Sequence, residues 1–284
     1  MVWNAGGHRA VRGIIRGRIR LLVCGLLVLA CPIMALSGQP STQEMIRLSV
    51  ASTEADWKAK PHFSYIERDT DVKDGETTSK TYRIWMIDGS PYYRLIAIGG
   101  EPLSPAQEAQ ESEKLRQEIA KRASESPKER DKRLEQYQKN RDRMFALLHE
   151  MAEAFDFKLV GEENLDDHDT YVLQASPRLG YRPTSRETQI LTGMKGKLWI
   201  EKDSHQWVKA EAEVIKPVWM GWFIAKVLPG TDFRLEQAPV AEGLWLPEHF
   251  SFRAKARILW MIRKNYSHSE TYQDYHLLST SSKP

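Results

Sequence analysis

Cysteine is nearly missing from this chain. Of 284 residues only Cys24 and Cys31 carry a thiol, and both precede residue 37. Everything after them lacks a disulfide, a thiolate metal site and a cysteine nucleophile. Acidic side chains are missing from the first thirty-seven residues. That stretch holds Arg9, Arg12, Arg16, Arg18 and Arg20, then an almost unbroken apolar run from Leu21 to Leu36. A basic start, an apolar middle and small residues after it make the layout of an export signal. Residues 1–37 are expected to be that signal, cut after Ser37, and residues 38–284 to be one periplasmic domain. The alternative is a lipobox at Val28-Leu29-Ala30-Cys31, which would anchor a lipoprotein through Cys31. A run of this length is short for a spanning helix, which needs about twenty residues.

Familiar catalytic signatures are missing too. Gly193-Met194-Lys195-Gly196-Lys197 has the wrong spacing for a phosphate-binding loop and runs into a strand. There is no dinucleotide glycine fingerprint, no G-x-S-x-G elbow and no H-E-x-x-H. His168 lies among Asp166, Asp167 and Asp169, which reads as a cation site or as a polar turn; a calcium loop needs longer ligand spacing. His249, His268 and His276 fall on expected strands, as surface histidines or as candidates for ligation or catalysis. An excess of positive charge is also missing. The formal charge is +3, and the five arginines of the signal bring the remainder to about −2 once removed. Without that excess, nucleic acid is not an expected partner.

What is present reads as an α+β layout. Ser41-Thr42-Gln43-Glu44 is a capping box opening a helix that Pro61 ends. From Phe63 the period changes to two. Asp74-Gly75 and Asp88-Gly89 mark turns of antiparallel strands, because these residues accept the positive φ of tight hairpins. Ser104-Pro105 and Ser126-Pro127 each open a helix, the serine as cap and proline at the first helical position. These helices are expected over about Pro105–Ala123 and Pro127–Phe155. In the second, Leu134, Tyr137, Met144, Leu148, Met151 and Phe155 make one apolar stripe that must be buried. That stripe is a packed helix face or a movable lid, with Met144, Leu148, Met151 and Phe155 as lid candidates.

Strands resume after Asp156, with a polar turn expected over Gly161–Asp169. Ala210, Ala212 and Val214 alternate with Lys209, Glu211 and Glu213, so one face is dry. In the last strand Tyr266, His268, Glu270, Tyr272, Asp274 and His276 are expected to share a face. The fold expected is a large curved antiparallel sheet of nine or ten strands, with helices covering its concave face. Trp85, Leu95, Trp199, Trp207, Trp219, Trp222 and Trp245 are candidates for lining a cavity between sheet and helices; core packing is the alternative. Val218-Trp219-Met220-Gly221-Trp222-Phe223-Ile224 is either a buried crossing or an exposed membrane-facing loop.

Several segments in this order resemble the outer-membrane lipoprotein-sorting superfamily, the Lol-type periplasmic carriers. They are the exported start, Asp88-Gly89 leading to Tyr92-Tyr93-Arg94-Leu95, and Gly100-Glu101-Pro102-Leu103-Ser104 before the helices. Gly196-Lys197-Leu198-Trp199-Ile200-Glu201-Lys202-Asp203, Gly243-Leu244-Trp245-Leu246-Pro247 and the closing Tyr272/Tyr275 strand complete them. The resemblance implies an incomplete β-barrel with a helical lid over a hydrophobic cavity. It implies non-covalent binding of lipid or lipoprotein acyl chains, with no catalysis, no cofactor and no metal. Partners would be a lipid or an acylated protein, with an envelope membrane partner besides. The carriers' lid-latching arginine matches no position here, and the helical insertion at about 105–155 is longer than in the small carriers. An envelope-stress sensor or interaction module on the same scaffold is the alternative, and a hydrolase of unrecognised type is the third.

Overall fold

A computed structural model describes residues 40–185, 187–220, 225–258 and 262–278. The expected signal, Cys31 and Trp222 lie outside the described residues.

Ser41 caps the first helix, α1 (Thr42–Ala59), accepting the Glu44 N–H at 3.2 Å. The reciprocal half of the box is not made, because the Glu44 carboxylate turns to Arg47 instead. Three antiparallel strands follow, β1 (Phe63–Lys73), β2 (Glu76–Ile87) and β3 (Ser90–Ile98), with a two-residue β4 (Glu101–Pro102) at the rim. Asp74-Gly75 and Asp88-Gly89 form their turns, all four residues at positive φ, as two-residue hairpin loops demand. Next come α2 (Pro105–Ala123) and α3 (Pro127–Ala154), each with a complete capping box, Ser104 with Gln107 and Ser126 with Glu129.

The chain then returns as β5 (Phe155–Leu165), β6 (His168–Pro177), β7 (Met194–Glu201) and β8 (Trp207–Val214). After them run β9 (Val218–Met220), β10 (Ala225–Val227), β11 (Asp232–Ala241), β12 (Leu244–Ile258) and β13 (Ile262–Leu277). The expected nine-residue turn between β5 and β6 is tighter than the sequence suggested. Only Asp166 and Asp167 turn, both at positive φ, and the strands run up to them. Short aspartates tolerate that conformation by bonding locally.

The strands form one open antiparallel sheet of thirteen, ordered β4-β3-β2-β1-β13-β12-β11-β8-β7-β6-β5, with β10 and β9 added beside β12. Alternation puts one residue in two on the face that the helices cover. Across that face the register sets Leu159, Leu173, Leu198, Ala210, Leu235, Phe250, Glu270 and Asp69 in a single row. The row changes character as it goes: aliphatic on β5–β8, aromatic at β12, acidic on β13 and β1.

The aliphatic half is the core. Met45, Ile46 and Val50 of α1 and Leu148 of α3 pack there on Leu173, Leu198, Ile200 and Trp207. Ala154 and Phe155 extend it over Ala175, Met194 and Val214. Burying such side chains contributes about 1.5–3 kcal/mol each. Two arginines, Arg122 buried and Arg133 half-buried, fasten the helices to the other half. Arg122 donates to the carbonyls of Ile87 and Ser90 at 2.5 and 2.9 Å, and Arg133 to the Asp88 carbonyl and Ser90 Oγ at 3.1 and 2.8 Å. With 28 residues, α3 is about 42 Å long. It runs from the β2–β3 turn to β5 at the far edge, crossing the whole covered face.

Candidate functional site

Beyond the core, the covered face is an aromatic strip with a line of carboxylates through it. The strip is built by period-two alternation on six strands. β1 contributes Tyr65, Glu67, Asp69 and Asp71; β13 contributes Tyr266, His268, Glu270 and Tyr272. β12 and β11 add Phe250, Phe252, Phe233 and Leu235, and β2 and β3 add Tyr82, Ile84, Tyr93 and Leu95. Tyr65, Ile84 and Tyr272 are buried, while Tyr82, Phe250 and Tyr275 are only partly so. Tyr93 is 50% exposed, yet desolvation pushes its phenol up to about 12. Tyr93 lines a cleft with Tyr82 and Leu95 beside α2. Tyr137 of α3 acts electrostatically on both Tyr65 and Tyr93.

The polar side chains are joined in a chain. Tyr266 donates to Asp71, His268 bridges Asp71 and Glu270 at 2.9 Å on each ring nitrogen, and Tyr272 donates to Glu270. Burial opposes the His268 imidazolium, but its hydrogen bonds to Glu270 and Asp71 outweigh that and raise its pKa. The hydrogen bond from Tyr266, then that from His268, hold Asp71 below the usual carboxylate range. Next along β1, Glu67 and Asp69 are shifted up, first by burial. Asp69 Oδ1 is buried with no hydrogen-bond partner. The Lys60 ammonium lies over the Tyr65 and Tyr272 rings at 4.6 and 4.3 Å, and burial lowers its pKa. The strip thus offers an aromatic surface with a polar line whose hydrogen-bonding capacity is not all used.

Of the expected cavity residues that the structure describes, only Leu95 belongs to the strip. Trp207 is on the covered face inside the core, where its indole donates to Ser49 Oγ at 3.0 Å. Trp199 and Trp245 pack with Val172 and Val208 on the helix-free face, and the Trp199 indole donates to Glu163 at 2.7 Å. Trp85 is next to Ile84 and so on the opposite face, edge-on to Tyr92 at 5.3 Å. Trp219 is on β9, 38% exposed. Leu95 is in a cleft of about 560 Å³ between α2 and β2–β3, with Tyr82, Tyr93 and Glu111.

Of the lid candidates, Leu148 and Phe155 are buried and Met151 bridges both core clusters. Met144 is exposed, and the half-buried positions beside it are Arg141 and Phe145. The space beneath the C-terminal half of α3 is filled by the protein's own side chains. Sequence reasoning missed Tyr93, Phe250, Phe252, Glu67 and Asp69 as site residues. The available signal was the alternation Tyr65-x-Glu67-x-Asp69-x-Asp71, which mirrors that of β13.

One shared face is corrected by the structure. Asp274 is at φ 56°, in a bulge where the β1–β13 register shifts. The extra residue reverses the alternation, so Tyr275, not Asp274 or His276, meets the Tyr65 ring at 5.2 Å. His168 stacks edge-on against Trp245 at 4.6 Å. Among the described residues no group of three or more His, Cys, Asp or Glu is arranged to hold a metal ion, and no helix is long and apolar enough to cross a membrane. A groove of about 620 Å³ on the helix-free face is polar and largely self-paired, with Lys195 on Glu213 at 2.9 Å and Arg253 on Asp232 at 3.0 Å.

No family model and no curated protein sequence matches this chain. Among solved structures it is similar to a LolA superfamily protein from Nitrosomonas europaea, with 11% identity over 84% of this chain and 93% of that one, at TM-score 0.34. A DUF1329 family protein from Desulfovibrio piger aligns with 14% identity over 84% and 94%, at TM-score 0.32. An outer membrane lipoprotein-sorting protein domain from Vibrio parahaemolyticus aligns with 10% identity over 83% and 94%, at TM-score 0.32.

Proposed function

We propose that this chain is an exported, non-catalytic binding protein for an amphiphile, a lipid or an acylated protein. It holds the apolar tail along the aromatic strip under α3 and the polar head at the carboxylate line. The observation that carries the reading is the gradient across the covered face, from Leu235, Phe233, Phe250 and Phe252 to Glu270, Asp69 and Glu67. An acyl chain laid on the first group leaves water at about 0.8 kcal/mol per CH₂. A head group with hydrogen-bond donors lies beside the Asp69 carboxyl, whose buried Oδ1 makes no hydrogen bond within the protein. Binding without chemistry accords with the hydrogen-bond chain from Tyr266 to Tyr272. Both His268 nitrogens are engaged by carboxylates, so the ring has no free nitrogen with which to act as a base on a bound molecule.

Native mass spectrometry of the protein purified from an envelope fraction tests this reading. Co-purifying lipid, lost on substituting Phe250→Ala together with Phe252→Ala, is the expected result. A bare protein mass with no uptake of added fatty acid or phospholipid contradicts it.

A further inference from the structure

The far end of the sheet carries a cationic row that the binding strip does not use. β12 runs past its neighbour β11, whose pairing stops at Asp232 opposite Arg253. β13 runs past β1, whose pairing stops at Lys73 opposite Tyr266. From those points β12 and β13 pair on to Ile258 and Ile262, about 13–16 Å further at 3.2–3.4 Å per residue. β10 pairs with this extension and β9 with β10, making a four-stranded ribbon that projects beyond the neighbouring strands.

Across the ribbon the register sets Trp219, Lys226 and Arg257 side by side. Like charges directly opposite on neighbouring strands repel one another. Here nothing local offsets them. No Asp or Glu occurs between Glu213 and Asp232 or between Glu248 and Glu270, while those two stretches hold seven Lys and Arg. Arg253 and Lys264 find Asp232 and Asp74. Among the described residues Lys216, Lys226, Lys255 and Arg257 have no carboxylate in ion-pair reach. Lys226 instead lies over the Trp219 ring at 4.9 Å.

Trp219 stands at the edge of this row and is 38% exposed. An exposed indole beside cations that have no carboxylate partner among the described residues is what an anionic membrane surface selects: the interface takes the indole, and the head-group charge takes the cations.

We propose that this end of the sheet, through Trp219, Lys226 and Arg257, docks the protein onto an anionic lipid bilayer surface. The occupant is a bilayer rather than a second copy of the chain, because two such rows facing each other would add repulsion.

The test needs a local readout, since residues 21–36 are apolar and can hold vesicles by themselves. Full-length protein carrying Cys24→Ser, Cys31→Ser and Trp219→Cys is labelled at position 219 with a polarity-sensitive fluorophore. It is titrated with phosphatidylcholine vesicles and with vesicles containing 30% phosphatidylglycerol. The expected result is a blue shift with the anionic vesicles that weakens at least about tenfold in lipid concentration on raising salt from about 50 to 500 mM. Lys226→Glu with Arg257→Glu should weaken it similarly. No shift, an equal shift with neutral vesicles, an equal shift in the charge-reversed protein, or a shift on raising protein concentration without lipid overturns the proposal. If circular dichroism reports that the charge-reversed protein is unfolded, the salt dependence and the contrast between vesicle types decide on the parent chain.

Discussion

Asp56 of α1 accepts the backbone N–H of Trp245 at 3.0 Å, and this bond ties the first helix to the start of β12. The carboxylate is 4% exposed. Burial pushes its pKa up to about 6, against the hydrogen bonds from Trp245 and Gln206. An acid raised in the folded state binds its proton more tightly there than in the unfolded chain. Its linkage term therefore contributes stability that is fully present below about pH 4, is lost as pH rises through about 6, and changes no further above that.

Replacing Asp56→Asn keeps an acceptor for Trp245 and removes the buried charge. The new amide also offers a donor toward Gln206, whose Oε1 is buried without a partner. The variant should be more stable than the parent by about 1–3 kcal/mol at pH 7.5, with the gain shrinking toward pH 4.5. Thermal melts of both proteins across that range measure it. A variant less stable than the parent at pH 7.5 would contradict this account of the site.

The indole of Trp207 donates to Ser49 Oγ at 3.0 Å inside the core, another tie between α1 and the sheet. Ser49→Ala strands a buried donor and should cost about 1–3 kcal/mol. Urea unfolding followed by Trp fluorescence reads the loss, expected as a lower midpoint at unchanged slope.

Arg122 donates to the Ile87 and Ser90 carbonyls that close the β2–β3 turn. Arg122→Met keeps the stem and removes the donors, so the turn should open locally before the molecule unfolds. Hydrogen exchange is expected to quicken by about tenfold or more in residues 82–95. Residues 171–175 and 196–200, in the core half, should keep their protection.

Much of this architecture can be read from residues with one dominant preference. Asp-Gly pairs placed two hairpins, and Ser-Pro pairs placed both long helices, because each combination suits few other conformations. Side-chain destinations were harder. A tryptophan in a strand must choose a face, and sequence does not say which face the helices will cover. Trp199 and Trp207 consequently parted to opposite sides of adjacent strands, although both are buried. Parity is also fragile. One bulge at Asp274 reverses the alternation for the end of β13 and replaces His276 with Tyr275 in the strip. The acidic line on Glu67, Asp69 and Glu270 depends on β1 pairing with β13, the first strand with the last. No local pattern announces that pairing.

The strip and the helix-free face make separable predictions for ligand binding. Tyr93→Ala should weaken uptake of a fluorescent fatty acid severalfold, about what losing part of one aromatic contact removes. Lys197→Ala, in the polar groove of the opposite face, should leave uptake unchanged. Fluorescence titration of the two variants distinguishes them.

The most direct measurement is where a bound acyl chain touches the protein. A photoreactive fatty acid bound to the purified chain, cross-linked and mapped by peptide mass spectrometry, should mark peptides bearing Tyr82, Tyr93, Phe233, Phe250 and Phe252. Cross-links confined to peptides bearing Lys197 and Glu211 on the helix-free face, or none above the level of unbound probe, would contradict it.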